Sequence, residues 1–364
     1  MDERDHLICL SLSGLYYSKS LTMLLDYFGS FQALIESDTK LVEAVTGKDN
    51  HAYHAVSQLK DLSIHCRREK LKQVESEYEV ITLLDDAYPT LLREIYDPPW
   101  VIYCKGKALS SIPMIGMVGS RKATTYGKWA AAYFSRELAV RGLGVVSGLA
   151  YGIDAASHQS CLDAGGYSIG VLGGGIDGIY PMSNRQLYAE METQGTILSE
   201  YGPGVQPQKH FFPARNRIIS GLSLGTFVVE AGEKSGALIT AEFAMEQGRE
   251  VYALPGNINS TMSSGTNQLL RDGARMVLNV NDIIDPIRSQ ELMNHLQINK
   301  VEVEPHLSAE ETAVMAVIRE EPVYLDALAY KCGMTVSQLN GILTILELKG
   351  LISQHPGKLF TASM

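Results

Sequence analysis

The sequence predicts an α/β protein built on a doubly wound, mostly parallel sheet, with one helical segment before the sheet and another after it. Three observations carry that expectation. Seven short apolar runs, MIGMV (114–118), LGVVS (143–147), SIGVL (168–172), TILS (196–199), TFVVE (226–230), VYALP (251–255) and RMVLN (275–279), recur through residues 76–285. Longer segments of helical pattern, such as YGKWAAAYFSRELAVRG and LITAEFAMEQGRE, separate most of them, and that alternation implies parallel strands with crossover helices. Glycine-rich turns follow the runs: GSR (119–121), SGLAYG (147–152), GGGIDG (173–178), SEYGPG (199–204) and EAGEKSG (230–236). Most therefore fall on one sheet edge, outside the carboxyl ends of the strands, where such sheets bind ligands.

In chain order, residues 1–75 come first and show helical periodicity. Leu21, Leu24, Leu25 and Phe28 mark one segment, Leu34, Leu41 and Val45 the next, and Gly29 and Gly47 punctuate them. LSGLYYSKSLTMLLDYFGS resembles a SAM-like or helix-hairpin-helix module, with Tyr16 where the usual hairpin has its second glycine. Residues 76–285 follow as a Rossmann-like domain. Residues 286–305 are polar, lack a pattern and end in KVEVEP, as a linker would. Residues 306–364 then give three helices and a short hairpin, the succession of a winged helix. Val336, Leu339, Leu343 and Leu346 are expected to face its core. Residues 301–364 hold eight acidic against four basic side chains, which argues for packing or protein contact here rather than DNA reading.

Bulk composition narrows the setting. The 364 residues carry a formal net charge of −10, with 45% hydrophobic and 20% charged side chains, as an ordinary globular chain does. Five cysteines, odd in number and without a CxxC pair, support neither a zinc site nor a disulfide framework, and fit a reducing cytosol. The start, MDERDHLICL, lacks a signal peptide's pattern, and no run is long enough to span a membrane. A cytoplasmic protein is expected.

Several motifs invite chemistry and lack its context. GGGIDG matches a dinucleotide fingerprint at Gly173, Gly175 and Gly178, but IYP intervenes before the helix, which is expected to start near Ser183. GLSLG (221–225) matches a nucleophile elbow, yet Ser223 has a helical segment before it and a strand after it, the reverse of the required order. Asp154 and His158, four apart, lack a third metal ligand and read as a capping carboxylate and a hydrogen-bonded imidazole. No Walker A sequence occurs. No cofactor or metal is expected.

Charge placement is more informative. Neither Pro98–Arg136 nor Tyr201–Val229 contains an acid, although the chain is acidic overall. The first window holds Lys105, Lys107, Arg121, Lys122, Lys128 and Arg136, and the second Lys209, Arg215 and Arg217. If the two windows meet, their local potential attracts a polyanion despite the negative total. Gly119 with Ser120, and Ser147 with Gly148, follow strands and are expected to offer backbone N–H groups to phosphate. Ser235 and Gly236, in the turn after TFVVE, are placed in the same site. Arg121, Arg215 and Arg217 supply guanidinium forks, Lys209 a further cation, and Phe211 and Phe212 rings for an unpaired base. Arg215 and Arg217 point together only on extended chain; on a helix they diverge.

The runs GMVGSRKATTYG, VVSGLAYGIDAASHQSCLDAGG, GGGIDGIYPMSNRQL, ILSEYGPG, FPARNRIISGLS, SGALITAEFAMEQGREVYALPGNI and GTNQLLRDGA together resemble the DNA-processing protein A family, also called DprA or Smf. The resemblance implies a non-catalytic protein of natural transformation that binds incoming single-stranded DNA, protects it and helps load the RecA recombinase, acting as a homodimer. It also implies that Arg121 corresponds to the family's phosphate-binding arginine and that Arg215, Asn216 and Arg217 form its RNR motif. Met182 stands where some members place a lysine. The alternative is a Rossmann-like nucleotide-processing enzyme of the LOG phosphoribohydrolase type, with Glu200 and Glu230 as carboxylates, but EAGEKSGAL lacks that group's PGGxGT turn. A winged-helix transcription factor would need a basic recognition helix, which is absent.

Overall fold

Polar residues that accept backbone N–H groups start most of the amino-terminal helices: α1 (Glu3–Leu12), α2 (Ser18–Phe28), α3 (Phe31–Glu36), α4 (Thr39–Thr46), α5 (His51–Asp61) and α6 (Ile64–Glu77). Asp2, Ser30, Asp38, Asn50 and Ser63 cap α1, α3, α4, α5 and α6 in this way. The computed structural model describes every residue except 17, 49, 290–307, 321–322, 349–350, 356 and 363–364. Leu21, Leu24 and Leu34 are buried as their spacing predicts. Leu41 is exposed instead, and Val42 takes the core position, because α4 turns its Val42 and Val45 side toward its neighbours.

The sheet domain runs β1 (Glu79–Thr82), α7 (Thr90–Arg93), β2 (Val101–Gly106), β3 (Met114–Gly119), α8 (Thr125–Val140), β4 (Gly144–Ser147), α9 (Ile153–Asp163), β5 (Ser168–Val171), α10 (Arg185–Gln194), β6 (Thr196–Ser199), α11 (Phe211–Gly221), β7 (Gly225–Glu230), α12 (Gly236–Glu246), β8 (Glu250–Ala253), α13 (Ser264–Arg271), β9 (Arg275–Met276) and α14 (Asn281–Ser289). Its nine strands lie in the order β1-β2-β6-β5-β4-β3-β7-β8-β9. All seven apolar runs contain strands of this sheet, and β3 to β9 pair in parallel throughout. β1 and β2 extend it antiparallel at β6, with Tyr103 opposite Ser199. They escape the helix–strand alternation because only the short α7 lies between them.

Burial ties the elements together. Leu7, Leu10 and Leu21 of the first helices share one apolar cluster with Tyr103, Leu149, Met191 and Ile197 of the sheet domain. By contact grouping, residues 1–301 make one unit and 302–364 another, so the helical segment is not separated from the sheet at residue 75. Of the expected linker, residues 286–289 finish α14 around Pro286, and 290–305 lie outside the described residues.

The second unit comprises α15 (Ala309–Glu320), β10 (Val323–Tyr324), α16 (Leu325–Cys332), α17 (Val336–Leu348), β11 (Ile352–His355) and β12 (Leu359–Ala362). The strands form a small antiparallel sheet in the order β10-β12-β11, and the unit is a winged helix. Leu339, Leu343 and Leu346 are buried with Val314, Leu328 and Phe360. Val336 is exposed, and Ile342, at the opposite margin of the stripe, is buried instead. Val336 is the first residue of α17 and sits at the margin of the apolar stripe, whereas Ile342 lies within its full turns.

Candidate functional site

β3 pairs with β4 on one side and β7 on the other, so the chain leaves β3 in one direction and returns from β6 to the opposite flank. The loops after β3 and β7 part at this switch point and leave a crevice at the carboxyl edge. An open cleft of about 760 Å³ occupies it. Arg121, Lys122, Lys209 and Lys234 are exposed along its lining, with Phe212, Tyr180 and the start of α12 beside them and Arg215 and Asn216 beneath. The two acid-free windows therefore meet: the Arg121 guanidinium lies 5.3 Å from the centre of the Phe212 ring.

The RNR sequence is helical, lying in α11, and residues two apart on a helix point roughly oppositely. Arg215 turns toward the sheet, buried. Its guanidinium donates to the Gly148 carbonyl at 2.8 Å, to the Val171 carbonyl and to Asn216 Oδ1 at 3.2 Å. Gly148 makes room for it, since a Cβ there would overlap the guanidinium. Among the described residues no carboxylate lies within 4.0 Å of Arg215. Asp154 is the nearby acid; burial pushes its carboxyl above the usual range, and the Arg215 charge and the Ala150 and Gly148 N–H groups oppose that.

Arg217 leaves the other side of the helix and is engaged away from the cleft. Its guanidinium meets Glu200 at 2.5 and 3.0 Å and Asp97 at 3.0 Å. Burial opposes its charge, and the two carboxylates more than offset that, so its proton is held more tightly than usual. Phe211 is fully buried, stacked 4.1 Å from Tyr201 and edge-on to Tyr16. Phe212 is half-buried and lines the cleft, with the exposed Tyr180 ring 5.5 Å away.

The strand-end turns are more occupied than the sequence implies. Ser120 N donates to the Glu230 carbonyl at 2.8 Å, and Gly148 N to Asp154 at 3.1 Å. Gly119 continues the β3–β7 ladder, and the buried Ser147 hydroxyl donates to the Met117 carbonyl at 2.6 Å. These bonds hold the turns in shape and use the Ser120 and Gly148 amides and the Ser147 hydroxyl inside the protein, while the Ser120 hydroxyl accepts from the Lys122 amide. Ser235 and Gly236 differ. The Ser235 hydroxyl caps α12, and Gly236 is exposed, with open space where a Cβ would stand. The positive end of the α12 dipole thus meets the cleft.

The tempting motifs are absorbed by packing. Ser223 is buried and donates to the Ile219 carbonyl. Glu230 accepts from the Thr124 amide and hydroxyl at 2.8 and 2.6 Å, and Glu200 is held by Arg217. Gly173 and Gly174 are packed against Phe212 and Pro207, each of which lies 2.9 Å from where a Cβ would stand. His158 bridges Ser168 at 2.7 Å and the Leu149 amide at 3.3 Å, and burial lowers it to about 3. Among the described residues no group of three His, Cys, Asp or Glu is placed to hold a metal ion. No helix among them is long and apolar enough to cross a membrane. Sequence reasoning did not single out Tyr180 or Lys234. Both stand in turns already assigned to this edge, just after GGGIDG and inside EAGEKSG.

Fold and site together define a Rossmann-like α/β protein with a basic, aromatic-rimmed cleft at its switch point. The profile of the DNA recombination-mediator protein A family matches residues 79–288, and that of the DprA winged helix domain matches residues 300–358. The chain belongs to the DNA-processing protein A (DprA/Smf) family. It is 37% identical over 313 residues to Protein Smf of Synechocystis, covering 77% of this chain and 79% of that protein. It is 44% identical to DNA processing protein DprA of Bacillus subtilis, covering 58% of this chain and 72% of that one. Among solved structures, DprA of Streptococcus pneumoniae matches with a TM-score of 0.67 and 36% identity, over 78% of this chain and 97% of that one. The Helicobacter pylori protein, described for its single-stranded DNA binding mode, matches with a TM-score of 0.53 and 32% identity, over 58% and 97%.

Proposed function

We propose that the cleft binds single-stranded DNA through its phosphates, and that the chain protects the strand and helps load the RecA recombinase onto it, acting as a cytoplasmic homodimer through its sheet domain. One observation carries the binding reading: Arg215 lies buried under an open cleft, without a carboxylate at ion-pair distance, beneath four exposed cations. Asp154 acts on this charge only from beyond ion-pair distance, and a buried cation without a directly paired carboxylate favours an anionic ligand. Arg121, Lys122, Lys209, Lys234 and the Ser235–Gly236 helix start are the phosphate contacts in this reading, and Asn216 positions Gly236 through its 3.2 Å bond to that carbonyl. Phe212 and Tyr180 offer rings to unpaired bases, which a duplex keeps stacked. Gly119, Ser120, Ser147, Gly148, Phe211 and Arg217 shape the walls. The solved Helicobacter pylori relative supports a single strand as ligand.

A non-catalytic role fits the same geometry, because Glu200, Glu230 and Ser223 are all engaged by protein partners. The test compares binding of single-stranded and duplex DNA by the full chain and by Arg121→Ala and Lys209→Ala. Single strands should be preferred, and both variants should weaken binding whatever the base sequence. Unchanged affinity in folded variants, or a preference for duplex, would sink the reading. Faster RecA filament formation on single strands tests the loading role, and sedimentation tests the dimer. Release of base from an AMP-like substrate, abolished by Glu230→Gln, would favour the phosphoribohydrolase alternative.

A further inference from the structure

Helix α8 carries a surface that the cleft does not use. Tyr126, Trp129 and Tyr133 are 54%, 56% and 40% exposed, and their spacing places them along one outer stripe of the helix. Their rings form a ladder: Tyr126 and Trp129 lie 5.8 Å apart at 27°, and Trp129 and Tyr133 5.6 Å apart at 10°. Aromatic side chains are usually spent on a core, and a contiguous exposed set marks an interaction site. The opposite side of α8 already packs Ala130, Ala131, Phe134 and Leu138 against the sheet domain, so the ladder is not needed to hold the helix.

The charges around the ladder choose its occupant. Lys122 is exposed just before the stripe and Arg136 beside it, while Lys128 is exposed on another flank of the helix, and no acid occurs from Pro98 through Arg136. The first acid on the helix, Glu137, is paired with Arg141. Glu137 borders Tyr133 one turn further on, but Arg141 neutralises it, so flat rings with cations around them suit stacked bases and their phosphates. The surface also begins close to the cleft. Lys122 lines the cleft, and Tyr126 follows four residues later, at most about 14 Å of chain.

Building on the cleft reading, we propose that single-stranded DNA leaving the cleft continues over α8, its bases stacking on Tyr126, Trp129 and Tyr133 and its phosphates meeting Lys122 and Arg136. The cleft and the ladder then form one track, and strand length decides how much of it is used.

The experiment measures binding of the full chain to oligothymidylates of two lengths, one filling only the cleft and one several times longer, and to a long strand abasic outside a short thymidylate run. Trp129→Ala should leave the short strand's affinity unchanged and weaken the long one about fivefold or more. It should not affect the abasic strand, and Trp129→Phe should restore most of the loss. The side chain is more than half exposed, so the variants should fold; Tyr126→Ala provides a second probe of the same surface. Equal binding of the long strand by the native chain, Trp129→Ala and Tyr126→Ala overturns the proposal and leaves the cleft reading intact. A change in sedimentation with no change in long-strand affinity also overturns it, marking the ladder as an interface between copies. Failure of the native chain to bind either length sinks the cleft reading, and this one with it.

Discussion

Helix α11 sends two arginines of the same turn into opposite surroundings. On one side, Arg217 is neutralised by Glu200 and Asp97 and sealed among buried groups. On the other, Arg215 is equally buried but bonded only to carbonyl and amide oxygens, beneath a cleft open to solvent. The first arrangement holds α11 to the segment before β2 and to the end of β6; the second leaves positive potential facing a ligand. Identical side chains two residues apart therefore differ in function because one is directly ion-paired and the other feels its acid, Asp154, only from beyond ion-pair distance. A buried ion pair contributes little net stability and fixes geometry, whereas an unpaired buried cation is a standing cost that ligand binding can offset.

The largest expected effect breaks the Arg217 side. Arg217→Ala leaves Glu200 buried and uncompensated, so the variant should lose about 3–5 kcal/mol of stability in urea denaturation. Replacing Arg217→Met together with Glu200→Leu should recover most of that loss, because no fully buried charge is then stranded and the remaining partner, Asp97, is partly exposed to solvent. If Arg217→Ala unfolds at the native midpoint, the pair is not the clamp its distances describe.

The next effect sharpens the Arg215 side through pH. His158 is fully buried, and burial first and the Arg215 charge second lower it from 6.5 to about 3. Between those values the unfolded chain binds a proton that the folded chain excludes, so stability rises with pH through the window and is lost on acidification. The slope is about 1.4 kcal/mol per pH unit, superimposed on the background from other groups. His158→Gln should remove it from urea midpoints measured across the window. Read as the difference between midpoints with and without His158→Gln, in which the carboxyl titrations of Asp154 and Glu200 cancel, the window should narrow from below in Arg215→Met, because one of the two causes is gone, and stay unchanged in Arg217→Met. A window that stays the same width in Arg215→Met would show that the guanidinium is electrostatically silent at this site.

The two sides of α11 also differ in how far the sequence discloses them. Both acid-free windows, the parallel strands and the turn edge are legible, because hydrophobic period and crossover logic act locally. The divergence of Arg215 and Arg217 follows from helix geometry once 211–221 is read as a helix. Their partners do not, because Asp97 and Glu200 are brought to Arg217 by tertiary packing across 120 and 17 residues. The same limit hides the occupied amides of Ser120 and Gly148, which glycine-rich turns alone present as donors. Val336 and Leu41 show a smaller form of it. Period finds an apolar stripe, but which of its margins reaches the core depends on the neighbouring elements.

The smallest effect separates cleft charge from structural charge most directly. Each phosphate contact on a single strand releases condensed counterion, so the log–log dependence of affinity on salt has a slope of about −0.7 per contact. Arg121 is exposed at the cleft, and its ring contact with Phe212 leaves its donors facing solvent or ligand. Arg121→Ala should therefore reduce the slope's magnitude by about 0.7, with a similar change for every base sequence. A folded Arg217 variant, such as the double replacement with Glu200→Leu, should keep the native slope, because that guanidinium never faces the strand. If both variants shift the slope equally, α11 opens when DNA binds, and the division between its two sides holds only for the unliganded protein. If neither shifts it, the track of phosphates runs elsewhere on the sheet edge, and the unpaired charge of Arg215 needs another ligand.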